Sequence, residues 1–400
     1  MIITKVETIA LRDQSDGKVT SWNPSFSESK NYQSINGAYD ITIVRVHTDE
    51  GITGIGQCEA PSLVIDAIIR SSQGLELLIV GEDPTNVQRL WQKMYNSTGV
   101  FGRRGVVIAA IGAIETALWD IYGKSVGKPV HELIWKSFTT SASDVEPLER
   151  VTPYATVYPP GADLEELEDR LNQAISKGLK AVKIEEWPGQ FGNVDTDTDV
   201  MVVEKARSIL GPKRDLMIDV QNRWRDVGQA LETINAIESF KPYFVEAPLP
   251  ADNIDGYRKL VKSTNVRIAA GDWGFSTRHE FADLLIRGSL DVVQPSAVRA
   301  GGMHEILNIA EDAYRFGSLC IPHTWCHVVG VAAQIHLAAI APNMPYFEFP
   351  IAFPKSDLVE NLLEPKFEIS NDGSMLVPNR PGLGFDLDDR VVSEYRVDPY

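Results

Sequence analysis

The chain has 400 residues, 44% of them hydrophobic and 23% charged, the balance of a globular protein with enough chain for more than one compact unit. Its 38 Lys and Arg stand against 55 Asp and Glu, a net charge of −17 with no basic run, which disfavours nucleic acid and anionic membranes as partners. Cys58, Cys320 and Cys326 fit neither a disulfide framework nor a zinc module, and no basic leader or run of about 18 apolar residues occurs, so a reducing, cytoplasmic setting is expected.

Residues 1–145 read as a separate α+β unit. The segment over 13–40, "DQSDGKVTSWNPSFSESKNYQSINGAYD", is polar and turn-rich, long enough for an active-site lid and equally consistent with a solvated loop. Trp22 and Tyr32 within it are candidate substrate contacts. "DITIVRVHTDEGITGIGQCEA" reads as an antiparallel hairpin. Arg103 and Arg104 precede a long, largely apolar helix predicted over 105–123. Arg103 is a candidate substrate contact, although surface or interdomain ion pairs are the commoner use of such arginines.

From Val151 the pattern changes to short β-branched or aromatic runs alternating with amphipathic segments, which is how βα units read. In the first helix Asp163 and Glu166 make a capping-box-like start, Leu164, Leu167, Leu171 and Ile175 recur at helical spacing, and Gly178 closes it. The strands are "PYATV", "LKAVKI", "DLMIDV", "PYFVEA", "VRIAAG", "LDVVQP", "SLCIP" and "PYFEF". Eight parallel strands with seven helices between them predict an α/β fold, a closed (β/α) barrel of modified TIM type over 146–355. An open doubly wound sheet competes, but no G-x-G-x-x-G follows the first strand. Residues 356–400 carry the turns of another small sheet, able to return to the N-terminal unit.

In such a barrel, chemistry gathers at the C-terminal tips of the strands. Lys183 and Glu185 end strand two, Asp219 strand three and Glu246 strand four; Asp272, Ser296 and His323 follow strands five, six and seven, and Glu348 ends strand eight. Singly, a strand-end carboxylate is usually a helix cap, an ion-pair partner or a solvated group. Asp219, Glu246 and Asp272, on three consecutive strands, converge at the mouth, where their repulsion is costly unless a cation or a proton relieves it. Oxygen donors without cysteine or histidine select Mg2+, with Mn2+ acceptable and Zn2+ disfavoured. Residues i and i+2 of a strand share a side, so Lys183 and Glu185 face the barrel interior while Ile184 and Glu186 face the helices.

The motifs "AVKI", "MIDVQNRW", "YFVEAPLP", "IAAGDWGFS", "VVQPSAVRAGG" and "PHTW" resemble, in order, the strand-end motifs of the enolase superfamily, mandelate racemase-like subgroup. "GRRGVVIAAIGAIETALWDIYGK" resembles the long helix of that family's capping domain and "VPNRPGLGFDLD" its C-terminal return, so the likeness spans almost the whole chain. The resemblance implies a barrel capped by an α+β domain formed from both ends of the chain, and a homo-oligomer. It also implies Mg2+ on Asp219, Glu246 and Asp272, and a small carboxylate substrate whose alpha proton a base removes; the enolase superfamily is itself a worked example of this chemistry. Lys183 would polarise the substrate carboxylate, and His323 would be the base. Gln221, Ser296, Trp325 and Glu348 are weaker substrate-contact candidates.

Four positions depart from the family pattern. Glu185 stands where many relatives carry a second lysine; it could be a base itself, although a neighbouring lysine would lower its pKa, and an ion pair with Lys183 is the structural alternative. Asp272 replaces the commoner glutamate, Gln221 stands where asparagine is frequent and could bond metal-bound water, and Ser296 replaces the aspartate that orients the histidine. A hydroxyl adds no charge, so His323 should be a weaker base than in those relatives, with another carboxylate needed as substitute. His327 is its local competitor.

Racemisation needs acid–base groups on both faces, whereas elimination of water needs one. The expectation is therefore dehydration of a sugar acid, aldonate or aldarate, to a 2-keto-3-deoxy acid. The alternatives are an epimerase, racemase or cycloisomerase of a hydroxy acid, and a non-catalytic, metal-dependent sugar-acid binding protein.

Overall fold

The structure is a computed structural model that describes residues 1–12, 40–137, 146–157, 163–185, 195–325, 328–349 and 356–398. The expected lid over 13–40, with Trp22 and Tyr32, lies outside the described residues but for Asp40, as do Glu186, Cys326 and His327.

The N-terminal unit is built on three antiparallel strands, Ile3–Arg12, Asp40–Thr48 and Thr53–Cys58. The last two are the expected hairpin, in register from His47↔Thr53 to Thr42↔Cys58. Against the third strand lies the long helix Val106–Val126. The two approach closely because the strand offers glycine: a Cβ at Gly54 would stand 2.0 Å from the Ala117 carbonyl oxygen, and one at Gly56 1.9 Å from that of Ala113. This helix is long and apolar enough to cross a membrane, yet 89% of its apolar window is buried inside the protein. Its two carboxylates are spent on structure. Asp120 accepts from the N–H of Ile55 and of Leu383 and pairs with Lys124, while Glu115 accepts from the N–H of Met303 and His304, capping the barrel helix Met303–Arg315.

The second unit is a sheet of eight parallel strands: Pro153–Val157, Ala181–Ile184, Asp215–Asp219, Phe244–Glu246, Ile268–Ala270, Val292–Val293, Leu319–Cys320 and Phe347–Phe349. Strands one to seven pair in sequence and the eighth pairs back onto the first. Tyr154, Ala181, Met217, Phe244, Ala269, Val292 and Ile321, an inward residue from each of seven staves, make one buried cluster with Tyr346 beside the eighth. That ring is the packed floor of a (β/α) barrel. Strands six and seven are shorter than the sequence suggests because Pro295 and Pro322 have no N–H for the ladder. Helix Leu164–Ser176 starts at the expected Asp163, whose carboxylate accepts from the N–H groups of Glu165 and Glu166, while the Glu166 side chain accepts from Arg170.

The C-terminal segment returns to the first unit. Arg396–Val397 pairs antiparallel with Ala10 and Leu11, adding a fourth strand to its sheet. The cap over the barrel is thus assembled from both ends of the chain.

Candidate active site

Each carboxylate of the predicted cluster sits where a strand stops and the backbone turns sharply. Asp219 and Glu246 are register partners at the ends of strands three and four. Beyond them Gln221, Asn222 and Ala247 take positive φ of 51°, 58° and 47°, and Gly271, just before Asp272, takes 116°. Non-glycine residues in that region are uncommon and cluster at functional turns. At Gly271 the demand is also spatial, since a Cβ there would meet the Phe281 ring at 2.5 Å.

One oxygen each from Asp219, Glu246 and Asp272 lies within 4.8 Å of the others, and all three residues are buried. Burial raises the pKa of Asp219 well above the carboxylate range, helped by Glu246 and Glu185 and opposed by Lys183. Glu246 is raised as well, by burial and then by Asp272, again against Lys183. Glu246 Oε1 is buried without a partner. A crowded, all-oxygen set with an unsatisfied donor atom fits a hard divalent cation of about 2.1 Å bond length.

Lys183 is fully buried, its ammonium 2.8 Å from Glu246 Oε2, 3.3 Å from Glu348 Oε1 and 3.5 Å from Asp219 Oδ2. Burial alone would lower its pKa, but Glu246 and Glu348 hold it well above the usual lysine value. The expected alternative of a Lys183–Glu185 pair is replaced by these partners: Glu185 instead receives the Gln221 side-chain amide, whose backbone N–H bonds Asp219 Oδ1 at 2.9 Å. Gln221 therefore ties strand two to the first carboxylate.

His323 is buried on the opposite side of the mouth. Its Nε2 lies 3.7 Å from Glu348 Oε2, near enough for the carboxylate to stabilise the ring once it is protonated. Ser296 and His323 are bridge partners on adjacent strands, yet Ser296 Oγ and His323 Nδ1 are both buried without a hydrogen bond, so the serine does not orient the ring. Burial lowers the imidazole pKa, Glu348 opposes this, and Arg299 and Lys183 add to it. The lowered pKa favours the neutral ring, the form able to accept a proton.

Glu348 joins the two. Thr156 Oγ1 and Lys183 donate to Oε1, and the N–H groups of Thr324 (2.8 Å) and Trp325 (3.0 Å) donate to Oε2. Trp325 takes a φ of 49° to present that N–H, which is its described part in the site. Burial pushes the Glu348 pKa up, but Lys183 and His323 outweigh it and hold the carboxyl far below its usual range. Arg103 is exposed, and Arg104 makes an interdomain pair with Glu280 at 3.4 Å.

Two groups escaped sequence reasoning. Thr156 was legible in principle, being two residues beyond the inward Tyr154. The pair Arg299–Glu59 was not: the guanidinium grips both carboxylate oxygens of Glu59, at the end of the cap strand, and the Asp272 carbonyl. Nothing in sequence spacing links residues on different domains.

A parallel barrel with three clustered carboxylates, a buried lysine and a buried histidine at its mouth has the architecture of an acid–base enzyme. Residues 166–391 match the family described as enolase C-terminal domain-like, and residues 33–135 match the mandelate racemase / muconate lactonizing enzyme N-terminal domain. The chain belongs to this family, the mandelate racemase/muconate lactonizing enzyme group of the enolase superfamily. It is 30% identical over 359 residues to an arabinonate dehydratase of Saccharolobus solfataricus, spanning 89% of this chain and 91% of that protein. It is also 30% identical over 372 residues to a D-galactonate dehydratase of Xanthomonas oryzae pv. oryzae, with the same shares covered. Among solved structures, the 3,6-anhydro-D-galactonate cycloisomerase from Zobellia galactanivorans superposes over 100% of both chains with a TM-score of 0.82 at 27% identity.

Proposed function

We propose that the protein is a Mg2+-dependent sugar-acid dehydratase that converts an aldonate or aldarate to a 2-keto-3-deoxy acid. The observation that carries this reading is that, among the described residues, one imidazole, that of His323, faces an ammonium and a three-carboxylate cluster across the barrel mouth. Its dehydratase relatives support the substrate class. Asp219, Glu246 and Asp272 would hold Mg2+, which when bound supplies positive charge where the substrate carboxylate becomes more negative as its alpha proton leaves. Lys183 adds its own charge at that carboxylate. His323 takes the alpha proton and returns it to the departing beta hydroxyl on the same face. The C–H and C–O bonds break, a C=C bond forms, water leaves, and the enol tautomerises to the ketone.

A library of sugar acids incubated with the protein and Mg2+, assayed for 2-keto acid, finds the substrate. His323→Asn should then lower kcat by about 10²-fold or more. A variant that kept most of its turnover would overturn the assignment.

The cycloisomerase neighbour and the inward-facing Glu185 favour a second reading, enolisation without loss of water. Incorporation of solvent deuterium into recovered substrate, with no keto acid formed, would select it.

A further inference from the structure

We propose that Arg299 is a positioning residue that ties the third carboxylate to the cap, so that seating of the cap and binding of a divalent cation at the barrel mouth strengthen one another. This rests on the reading of Asp219, Glu246 and Asp272 as a cation site. The three carboxylates are not held alike. Asp219 and Glu246 lie within their strands as register partners, and Glu246 pairs onward with Ala269, so the ladder fixes both. Asp272 lies two residues beyond the end of strand five, between Gly271 and Gly274, which take positive φ of 116° and 80°. Glycine restricts its own backbone least, so this segment does not by itself hold a carboxylate in one place.

The anchor comes from outside. The Asp272 carbonyl accepts from the Arg299 guanidinium, which also grips both oxygens of Glu59, with Nε 2.7 Å from Oε2. A planar guanidinium can serve a carboxylate and a carbonyl together in one fixed geometry. Glu59 belongs to the cap, one residue past the strand Thr53–Cys58, and its own N–H bonds the Val298 carbonyl at 3.3 Å beside Arg299. A second cap contact holds the far end of the same loop. The N–H of Gly105, at the start of the long cap helix, donates to Ser276 Oγ at 2.8 Å, and Ser276 and Thr277 are held in turn by Glu280. Residues 272–276 are thus gripped by the cap at both ends. Coupling between two sites is reciprocal. A cap that lifts takes Glu59 from Arg299 and loosens the Asp272 carbonyl; a cation that fixes Asp272 steadies the loop to which the cap is tied.

Arg299→Gln separates this tether from simple charge. Removing a cation near three carboxylates would by electrostatics alone tighten Mg2+ binding, whereas the tether requires the Kd for Mg2+ to rise by about five-fold or more in calorimetric titration of the substrate-free protein. An unchanged or lower Kd overturns the proposal. Trp91→Phe removes a different cap–barrel bond, from Trp91 Nε1 to the Gly301 carbonyl at 2.7 Å. It should lower Tm and leave the Kd for Mg2+ unchanged; an equal rise in Kd would make general cap stability the cause and overturn the role of Arg299. Should Arg299→Gln not fold, the wild-type protein decides. Mg2+ should slow hydrogen exchange at the N–H groups of Glu59 and Gly105 by about five-fold or more, and spare that of Gly51 in the cap hairpin. No slowing, or equal slowing at all three, overturns the coupling. Absence of any Mg2+ binding by the wild-type protein is a separate failure, that of the cation site itself, and removes both readings.

Discussion

Lys183 carries a positive charge into the barrel interior with Glu246, Glu348 and Asp219 within 3.5 Å of its ammonium. Removing one member of a buried charge network strands the others, at a cost of about 3–5 kcal/mol. Lys183→Met should destabilise the metal-free protein by that order in urea unfolding, and added Mg2+ should recover part of the loss. At His323 the folded pKa lies below the ordinary imidazole value, so the base form persists through neutrality. kcat/KM should be flat at neutral pH and fall only as pH drops through a value below about 6.5. A profile falling at or above that value would mean another group is the base. At this scale the sequence was informative about which residues face inward, because strand alternation determines that. It was silent on who lies beside whom: nothing along the chain showed that Glu348, a candidate substrate contact, lies between Lys183 and His323.

The elements were legible where local signals were strong. The hairpin, the long apolar helix and the Asp163-capped helix follow from alternation, periodicity and capping chemistry, all of which act within a few residues. The short sixth and seventh strands were less so, because a run of β-formers does not reveal where proline will interrupt the ladder. Nor did the strand Thr53–Cys58 reveal why it carries two glycines. Gly56→Ala would drive a Cβ to within 1.9 Å of the Ala113 carbonyl, and backbone on both sides leaves little room to yield. A loss of about 1–3 kcal/mol is expected by chemical denaturation. The same substitution at Gly51, where nothing lies within 4 Å, should miss that clash and report only the strain of its positive φ of 78°.

For the molecule as a whole, a buried histidine pair joins cap to barrel. His131, in the helix Val130–Ser137, and His336, in the barrel helix Val328–Ala338, approach at 3.0 Å through Nδ1, and His336 Nε2 meets the Leu383 carbonyl of the C-terminal return. Burial lowers the His336 pKa to about 3, with the Leu383 bond opposing and His131 assisting. The unfolded chain therefore binds a proton that the folded one refuses. Above the ordinary histidine pKa this costs nothing; as pH falls from about 6.5 toward 3, stability should be lost at about 1.4 kcal/mol per unit. His336→Gln should flatten that part of the unfolding free-energy curve against pH, and an unchanged slope would remove the pair from the account.

What the sequence determined by itself is the order of βα units, the sidedness of their strands and the oxygen-rich character of the mouth, since these follow from periodicity and from residue chemistry along the chain. The curling of the sheet and the seating of the cap decided the rest. Lys183 and Glu348 meet only because the eighth strand pairs back onto the first, and Glu59 reaches Arg299 only because the cap is seated on the barrel. Such contacts depend on distances through space between segments remote in the chain, and no local propensity encodes them.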